Sequence, residues 1–308
     1  MTSQIEDQLS WEEFYKVSKK RPRSFKKITE FNRLIAHSKN FFVISGYGAF
    51  TPGYLLIISK NFLPSFGLIE ENKTEELYFL VTLLKKIIFQ NFKRLSVVFE
   101  HGMCACIGGL DRAHIHVMSI PKNSTEKTIK DSIDLTLYSR KAGIDYIEYN
   151  NYKLENIHDI NQIFENVKKE KNKLKDIKIS GKILKIKDIK DLSPNKWPLI
   201  TLNHINKGGH YVYFRSDFDK ASFLTTHNFQ TQFGREVVFQ NEIKLNNKFK
   251  KQIEKIKKNN QFLEVWRWQN CMFEENIIKT IKLSIKGFED LEKKYSKDFL
   301  KFDIKILK

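Results

Sequence analysis

The segment Arg112-Ala113-His114-Ile115-His116-Val117-Met118 holds the residues best suited to chemistry. Side chains alternate between the two faces of a β-strand, so Arg112, His114 and His116 share one face if the segment is a strand. Imidazole near neutral pH acts as nucleophile, acid or base. We expect the two rings to lie about 6.5 to 7 Å apart along the strand, on a surface suited to a phosphoryl group. His114 and His116 are therefore the candidate catalytic residues, and Arg112 is a candidate phosphate contact.

Other interpretations of the histidine pair remain open. An isolated His-x-His on a strand is commonly an ordinary polar face of a sheet. A metal-dependent hydrolase would need ligands that converge on the pair, and Glu100, Asp111 and Cys106 are the nearest in sequence. Cys104 and Cys106 with His101 are suitable zinc ligands, but no second ligand cluster follows at the spacing of a zinc finger. We therefore expect no metal and no cofactor.

Two glycines stand just before the histidine segment. Gly108 and Gly109 have no side chain, so their backbone N–H groups can approach phosphate oxygens closely. His101 is either a further phosphate contact or a loop cap. The predicted phosphate-binding set on this side of the chain is therefore His101, Gly108, Gly109 and Arg112.

The elements around these residues predict an α+β fold. Asn72 and Glu75 resemble a capping box, and apolar residues then recur at helical spacing for about five turns. This amphipathic helix should cover one face of an antiparallel sheet. The strands predicted for that sheet are Phe41–Ser45, Tyr54–Ser59, Leu95–Glu100 and Ala113–Ile120.

The remainder of the chain divides into two parts. Residues 124–195 are rich in lysine, asparagine and isoleucine and are predicted to be a connector or insertion, with a helix near 157–173. Residues 196–308 form a smaller α/β C-terminal extension, with a strand at 211–215, a helix at 232–240 and a long final helix from about 273 to 295. The first domain is predicted to span residues 1–123.

The charge of the chain attracts polyanions but does not identify one. The formal net charge of +18 favours RNA or nucleotides as partners. Nearly all of the excess is lysine, however, and scattered lysine also serves as an ordinary solvated surface. No apolar run approaches the roughly 18 residues that a membrane helix needs, and the few cysteines favour a reducing compartment. We expect a cytoplasmic protein without a membrane partner.

Residues 40–122 resemble the histidine-triad (HIT) superfamily. The family hallmark is His-φ-His-φ-His-φ-φ before a proline, which Arg112 to Pro121 matches except at the first triad position. The segment Thr51 to Lys60 resembles the Pro-Gly-His strand of the family, with Tyr54 where many members have histidine. Phe99-Glu100-His101-Gly102 is similar to a loop of a bacterial subset of these hydrolases.

The resemblance implies a HIT-like sheet and nucleotidyl transfer or hydrolysis. His114 would attack the α-phosphorus and form a nucleotidyl-histidine, and His116 would assist by hydrogen bonding to the phosphate or the leaving group. Arg112 departs from the triad, although it keeps positive charge and a bidentate phosphate grip. Gly109 stands near where several members place a serine that helps the leaving group.

A second resemblance lies downstream. Residues 232–238 and 266–276 are similar to the C-terminal part of CwfJ-type proteins, which are HIT-like factors associated with RNA lariat debranching. Arg235 is then either a helix residue with an acidic partner or another phosphate contact. Trp266 and Trp268 are suited to base stacking or, more commonly, to burial. The C-terminal region is expected to complete or flank the site.

These features favour an enzyme of nucleotide phosphoanhydride or phosphoramidate chemistry. A nucleotide or dinucleotide is the expected substrate, RNA binding is expected to be weak, and a homodimer is an open alternative because HIT proteins often dimerise. The rival function is a non-catalytic RNA-processing or RNA-binding adaptor, which the net charge, the CwfJ-like segment and Arg112 favour.

Overall fold

A computed structural model describes residues 33–61, 63, 65–102, 113–139, 211–218, 221–225, 232–259 and 273–307. Within these ranges the strands are β1 Leu34–His37, β2 Phe41–Ser45, β3 Tyr54–Ser59, β4 Leu95–Gly102, β5 His114–Ile120, β6 Tyr211–Ser216, β7 Ala221–Thr225 and β8 Lys305–Ile306. The α-helices are α1 Glu71–Ile87, α2 Glu126–Ser139, α3 Phe233–Leu245, α4 Asn247–Asn259, α5 Glu274–Lys294 and α6 Ser296–Lys301. A 3₁₀ turn spans Phe66–Leu68, and a π-helical turn, Ile88–Phe92, follows α1.

The described strands form one antiparallel sheet in the order β7-β6-β4-β5-β3-β2-β1-β8. Helices pack on both faces of this sheet. The predicted α+β architecture, an antiparallel sheet with packed helices, is thus confirmed. Strands from the C-terminal part join both edges of the sheet, with β6 beside β4 and β8 beside β1.

The two faces of β5 are separated by the alternation of its side chains. Ile115 and Val117 are fully buried on one face, and α1 packs on that side of the sheet. Phe99, paired with His116, lies on the other face, where α3 approaches so closely that a Cβ at Gly234 would overlap the Phe99 ring. The face of the sheet that carries His116 is therefore partly covered by α3, a helix from the C-terminal part of the chain.

Helix α1 confirms one sequence prediction and corrects another. Its apolar residues at helical spacing are buried: Leu77, Leu80, Val81, Leu84, Ile87 and, in the π-helical turn, Ile88. The predicted capping box is wrong, because the helix begins at Glu71 and its N-cap residue, Glu70, makes no side-chain cap hydrogen bond. Asn72 lies inside the first turn instead, since the helix starts earlier than the Asn–Glu spacing indicated.

The predicted connector contains regular structure at its beginning. Helix α2 occupies residues 126–139 and packs against α3, with a hydrogen bond from Asn241 Nδ2 to Ser124 Oγ at 2.9 Å. Residues 140–195, including the helix predicted near 157–173, lie outside the described residues. The division into three regions stays a prediction. None of the described helices has the length and apolar character needed to cross a bilayer.

Candidate active site

The register of the sheet brings the histidines of β4 and β5 together. His116 pairs with Phe99 of β4 on one side and with Leu56 of β3 on the other, and His114 pairs with Ile58. Directly paired residues point to the same face of a sheet. His114, His116 and, two residues beyond Phe99, His101 therefore share one face, and we call these three the histidine cluster.

The His116 ring contacts two aromatic side chains, one on its flat face and one at its Nδ1 edge. Phe99 stacks on it with ring centroids 4.4 Å apart and an interplanar angle of 8°. The Tyr54 ring is also nearly parallel to it, at 5.8 Å and 13°, and the Tyr54 hydroxyl lies 2.8 Å from His116 Nδ1. Rotation of the imidazole about χ2 would drive it into the Phe99 ring and break the hydrogen bond to Tyr54, so these two contacts fix its orientation.

His114 lies beside His116 and closer than the strand geometry suggested. The ring centroids are 4.9 Å apart with an interplanar angle of 61°, whereas we expected about 6.5 to 7 Å from the repeat of a strand. The expectation was too long because it describes the backbone repeat, while the two rings lean together. Both residues keep part of their surface exposed, and a group between the rings and solvent can contact both.

His101 lies within the cluster but has a partner in the C-terminal part of the chain. Its ring centroid is 6.0 Å from that of His116, and the backbone N–H of Gly234 donates to its Nε2 at 3.2 Å. Gly234 is the second residue of α3, where backbone N–H groups lack partners within the helix. His101 thus caps the N-terminal end of this helix. Its role as a phosphate contact stays a prediction.

Arg235 is a buried residue of the loop-facing side of α3. Its side chain is 1% exposed, and its guanidinium donates to the carbonyl oxygens of Tyr47 at 3.2 Å and Gly48 at 2.7 Å. The same guanidinium lies 5.1 Å from the ring centroid of Tyr54. It therefore joins the loop before β3 to the tyrosine that contacts His116. Phosphate binding by Arg235 stays a prediction that this burial does not favour.

Enclosure and neighbouring charge keep the central groups neutral. The pKa of His116 is lowered well below its ordinary value by burial first and then by His114, His101 and Arg235. Although part of the His116 residue is exposed, the Phe99 ring on one flat face and the Tyr54 side chain along the Nδ1 edge hold solvent away from the charged form. Burial raises the pKa of Tyr54, and Arg235 opposes that shift only in part. Near neutral pH the site therefore presents neutral imidazole and neutral phenol.

Several predicted site residues cannot be placed. Arg112, Gly108 and Gly109 lie outside the described residues, as do Cys104, Cys106, Asp111, Trp266 and Trp268. Across the described part of the chain, no group of three or more His, Cys, Asp or Glu side chains is arranged to hold a metal ion. Glu100, the described carboxylate nearest to the histidines in sequence, is fully buried on the opposite face and accepts from the backbone N–H of Phe66 at 2.7 Å.

Three contacts at the site were not predicted from the sequence. Tyr54 was noted as a departure from the family histidine, but its bond to His116 depends on the pairing of β3 with β5. Phe99 was assigned only to a strand, and Gly234 only to a helix. The sequence contains one signal for these contacts, which is the alternation that places Phe99 and His101 on the same face of β4. A prediction that β4 pairs with β5 would have brought both residues next to His116.

The chain was compared with known proteins. No family model and no curated protein matches it. Two crystal structures of the yeast Ap4A phosphorylase Apa2 are similar to it in fold. The one in complex with AMP has 7% sequence identity and a TM-score of 0.30, and the match covers 60% of this chain and 55% of the phosphorylase, so the chain spans about half the length of that protein. The other has 9% identity and a TM-score of 0.35, over 82% of each chain.

Proposed function

We propose that the chain is a HIT-type nucleotide hydrolase or nucleotidyl transferase that acts on a phosphoanhydride or related bond through a nucleotidyl-His114 intermediate. One observation carries this proposal: the rings of His114 and His116 lie 4.9 Å apart on one face of β5, with both residues partly exposed. A nucleophile beside a second, oriented imidazole is the arrangement that nucleophilic catalysis at phosphorus requires.

The two histidines would have different roles. A ring nitrogen of His114 attacks the α-phosphorus, an N–P bond forms, and the P–O bond to the leaving group breaks with its electron pair on the leaving oxygen. His116 donates a hydrogen bond to a phosphate or leaving-group oxygen. Water or another acceptor then attacks the phosphorus, the N–P bond breaks, and His114 is regenerated. Arg112, Gly108 and Gly109 are proposed to hold the non-bridging oxygens.

The proposal is tested by the release of AMP from a panel of adenine nucleotides. The full chain is incubated with diadenosine polyphosphates and an AMP phosphoramidate in the presence of a chelator, and products are separated by chromatography. We expect AMP release that the chelator does not suppress. Intact-mass spectrometry after an acid-free quench should show a fraction of the protein carrying one nucleotidyl group.

His114→Ala is the matched variant for this assay. It should lose both turnover and the nucleotidyl adduct, because removal of a covalent nucleophile typically costs several orders of magnitude. The fold should persist, since His114 is partly exposed and no core side chain is removed. Activity of His114→Ala within about tenfold of the wild type would contradict the assignment of the nucleophile.

A non-catalytic RNA-binding adaptor is the second candidate, and helix α4 is the observation that favours it. Phe249 and Ile253 are buried on one side of this helix, while Lys248, Lys250 and Lys251 are exposed. A lysine surface of this kind attracts phosphates without reading sequence. We propose that it gives only weak, non-specific RNA binding beside the nucleotide chemistry.

Salt dependence separates the two functions. A path that neutralises about six or more RNA phosphates loses on the order of a thousandfold in affinity between about 50 and 200 mM salt, whereas a mononucleotide contacting few cations loses little. We expect weak, steeply salt-dependent RNA binding that His114→Ala leaves unchanged. Tight RNA binding at 200 mM salt that AMP does not compete would make the adaptor the better proposal.

A further inference from the structure

We infer that Tyr54 is a positioning residue that holds the ring proton of His116 on Nε2, so that His116 meets the substrate as a neutral hydrogen-bond donor. The inference deepens the proposed function and rests on it for the catalytic role of His116. The state of the His116 proton, however, is a property of the protein alone, and it can be measured without any substrate.

The first step is the direction of the Tyr54–His116 hydrogen bond. The Tyr54 hydroxyl lies 2.8 Å from His116 Nδ1. A phenol has one proton, and the guanidinium of Arg235, 5.1 Å from the centroid of the Tyr54 ring, can only donate, so it favours a phenol oxygen turned toward it as an acceptor. We therefore assign the phenol proton to the bond with Nδ1 of His116. A neutral imidazole that accepts at Nδ1 carries its proton on Nε2.

The second step is that the ring cannot exchange its two nitrogens. Phe99 stacks on one side of His116 at 4.4 Å and Tyr54 is nearly parallel to it at 5.8 Å. A half-turn of the imidazole about χ2 passes through an orientation perpendicular to the Phe99 ring, for which the 4.4 Å stack leaves no space, and it also breaks the hydrogen bond to Tyr54. Nδ1 thus stays against Tyr54, and Nε2 stays on the opposite edge of the imidazole.

The third step is that protonation does not undo the arrangement near neutral pH. The groups that act on His116 are His114 on its own strand, His101 on β4 and Arg235 on α3. Each of them disfavours a positive charge on the His116 ring. Burial disfavours it further and is the largest cause of the lowered pKa. Tyr54 keeps its proton because burial outweighs the charges of Arg235 and Arg33.

The arrangement has a consequence for the proposed chemistry. A neutral Nε2–H can donate to a phosphate or leaving-group oxygen without first taking up a proton from solvent. Catalysis would then not need the imidazolium form of His116, and the donor would be present over the whole range in which Tyr54 keeps its proton. A histidine at position 54 has both a donor and an acceptor tautomer, so it can replace the tyrosine in this role only through its N–H form.

The experiment is a measurement of the ring-nitrogen shifts of the full chain labelled with ¹⁵N-histidine, assigned through loss of the signal in His116→Gln. In the wild type at pH 7, we expect His116 to have protonated Nε2 and unprotonated Nδ1. In Tyr54→Phe the signal should move toward a mixture of tautomers, because the phenol proton is gone. Tyr47→Phe is the matched control, and it should leave the His116 signal unchanged.

Kinetics give the second readout. For a nucleotide that the wild type turns over, Tyr54→Phe should lower kcat by about tenfold or more with a smaller change in KM, since positioning affects the transition state more than binding. Tyr54→His should recover part of that loss. If Tyr54 had only a structural role, Tyr54→Phe and Tyr54→His should change kcat and KM in the same proportion. The tautomer of His116 should then not change in either variant.

The two proposals fail in different ways. A wild-type His116 with its proton on Nδ1 overturns the inference, and this outcome does not depend on the folding of any Tyr54 variant. An unchanged tautomer in a folded Tyr54→Phe overturns it as well. If the tautomer responds to Tyr54→Phe as expected but no nucleotide is turned over, the positioning of His116 stands and the proposed enzymatic function is the one that fails.

Discussion

Histidine is enclosed in two regions of the sheet, and the two regions differ in what surrounds the ring. In the histidine cluster, His116 stacks on the Phe99 ring and is hydrogen-bonded through Nδ1 to the Tyr54 hydroxyl. At the other end of the sheet, His37 of β1 is 5% exposed, and the ammonium of Lys60 lies 3.3 Å from its Nδ1. We call the second region the edge cluster: His37, Ser38, Asn40, Lys60 and Glu76.

The hydrogen bonds of the edge cluster run within the protein. Glu76 of α1 accepts from Ser38 Oγ at 2.5 Å, from the Asn40 backbone N–H at 2.8 Å and from Asn40 Nδ2 at 2.6 Å. These bonds join the turn between β1 and β2 to the helix that covers it. Burial lowers the pKa of both histidines, so a lowered pKa alone does not identify a site. The partly exposed surface and the adjacent second histidine do.

The largest expected difference between the regions is in activity. His114→Ala should abolish nucleotide turnover by several orders of magnitude, whereas His37→Gln should change kcat/KM by less than about threefold because it contacts Lys60 and Ser38 and not the histidine cluster. Thermal unfolding of both variants provides the control for folding. A loss of turnover in a folded His37→Gln comparable to that in His114→Ala would remove the distinction.

The next effect is on stability, and it falls on the edge cluster. Glu76→Ala leaves the buried hydroxyl of Ser38 and the partly buried donors of Asn40 without their acceptor, so we expect the free energy of unfolding to fall by about 2 to 4 kcal/mol. The adjacent Glu75→Ala is the matched control. Its exposed pair with Lys301 should contribute less than about 1 kcal/mol. Denaturant titration measures both, and equal losses in the two variants would contradict the buried role of Glu76.

An intermediate effect is expected where helix α3 meets the histidine cluster. Gly234→Ala places a Cβ into the Phe99 ring that supports His116. Overpacking of this kind costs about 1 to 3 kcal/mol, partly offset by the better helix propensity of alanine, worth about 1 kcal/mol. Unlike the variants of the edge cluster, this one should lower stability and turnover together. A Gly234→Ala protein with unchanged kcat would show that the Phe99 stack does not position His116.

The smallest effect is a pH dependence of stability from His37. Burial first, and then Lys60, lower its pKa from 6.5 to about 4 in the folded protein. The unfolded chain therefore binds a proton between these values while the folded chain does not, so stability is lost as the pH falls from about 6.5 toward 4. Between pH 7 and pH 5, His37→Gln should lose about 1 to 2 kcal/mol less than the wild type. Parallel curves for the two proteins would contradict the lowered pKa.

The prediction of the fold from local pattern succeeded where the pattern was strong. The strands at 41–45 and 54–59 are observed at their predicted ends, and the amphipathic helix lies where its apolar residues recur. The four-residue β1, the two-residue β8 and helices α2 and α4 were not predicted. These elements are stabilised by neighbours that pair or pack with them, as β1 pairs with β2 and α2 packs on α3, so their own residues carry little signal.

The residue types and alternation of the sequence were enough to place His114 and His116 on one face, because the two-residue period of a strand is a local property. Tertiary structure alone decided what touches that face. The pairing of β3 and β4 with β5 brings Tyr54 and Phe99 to His116. Helix α3, more than a hundred residues away in the chain, contributes the N–H that donates to His101 and the guanidinium that contacts Tyr54. Such contacts depend on which strands pair and which helix covers them, and neither is determined by the pattern of any single segment.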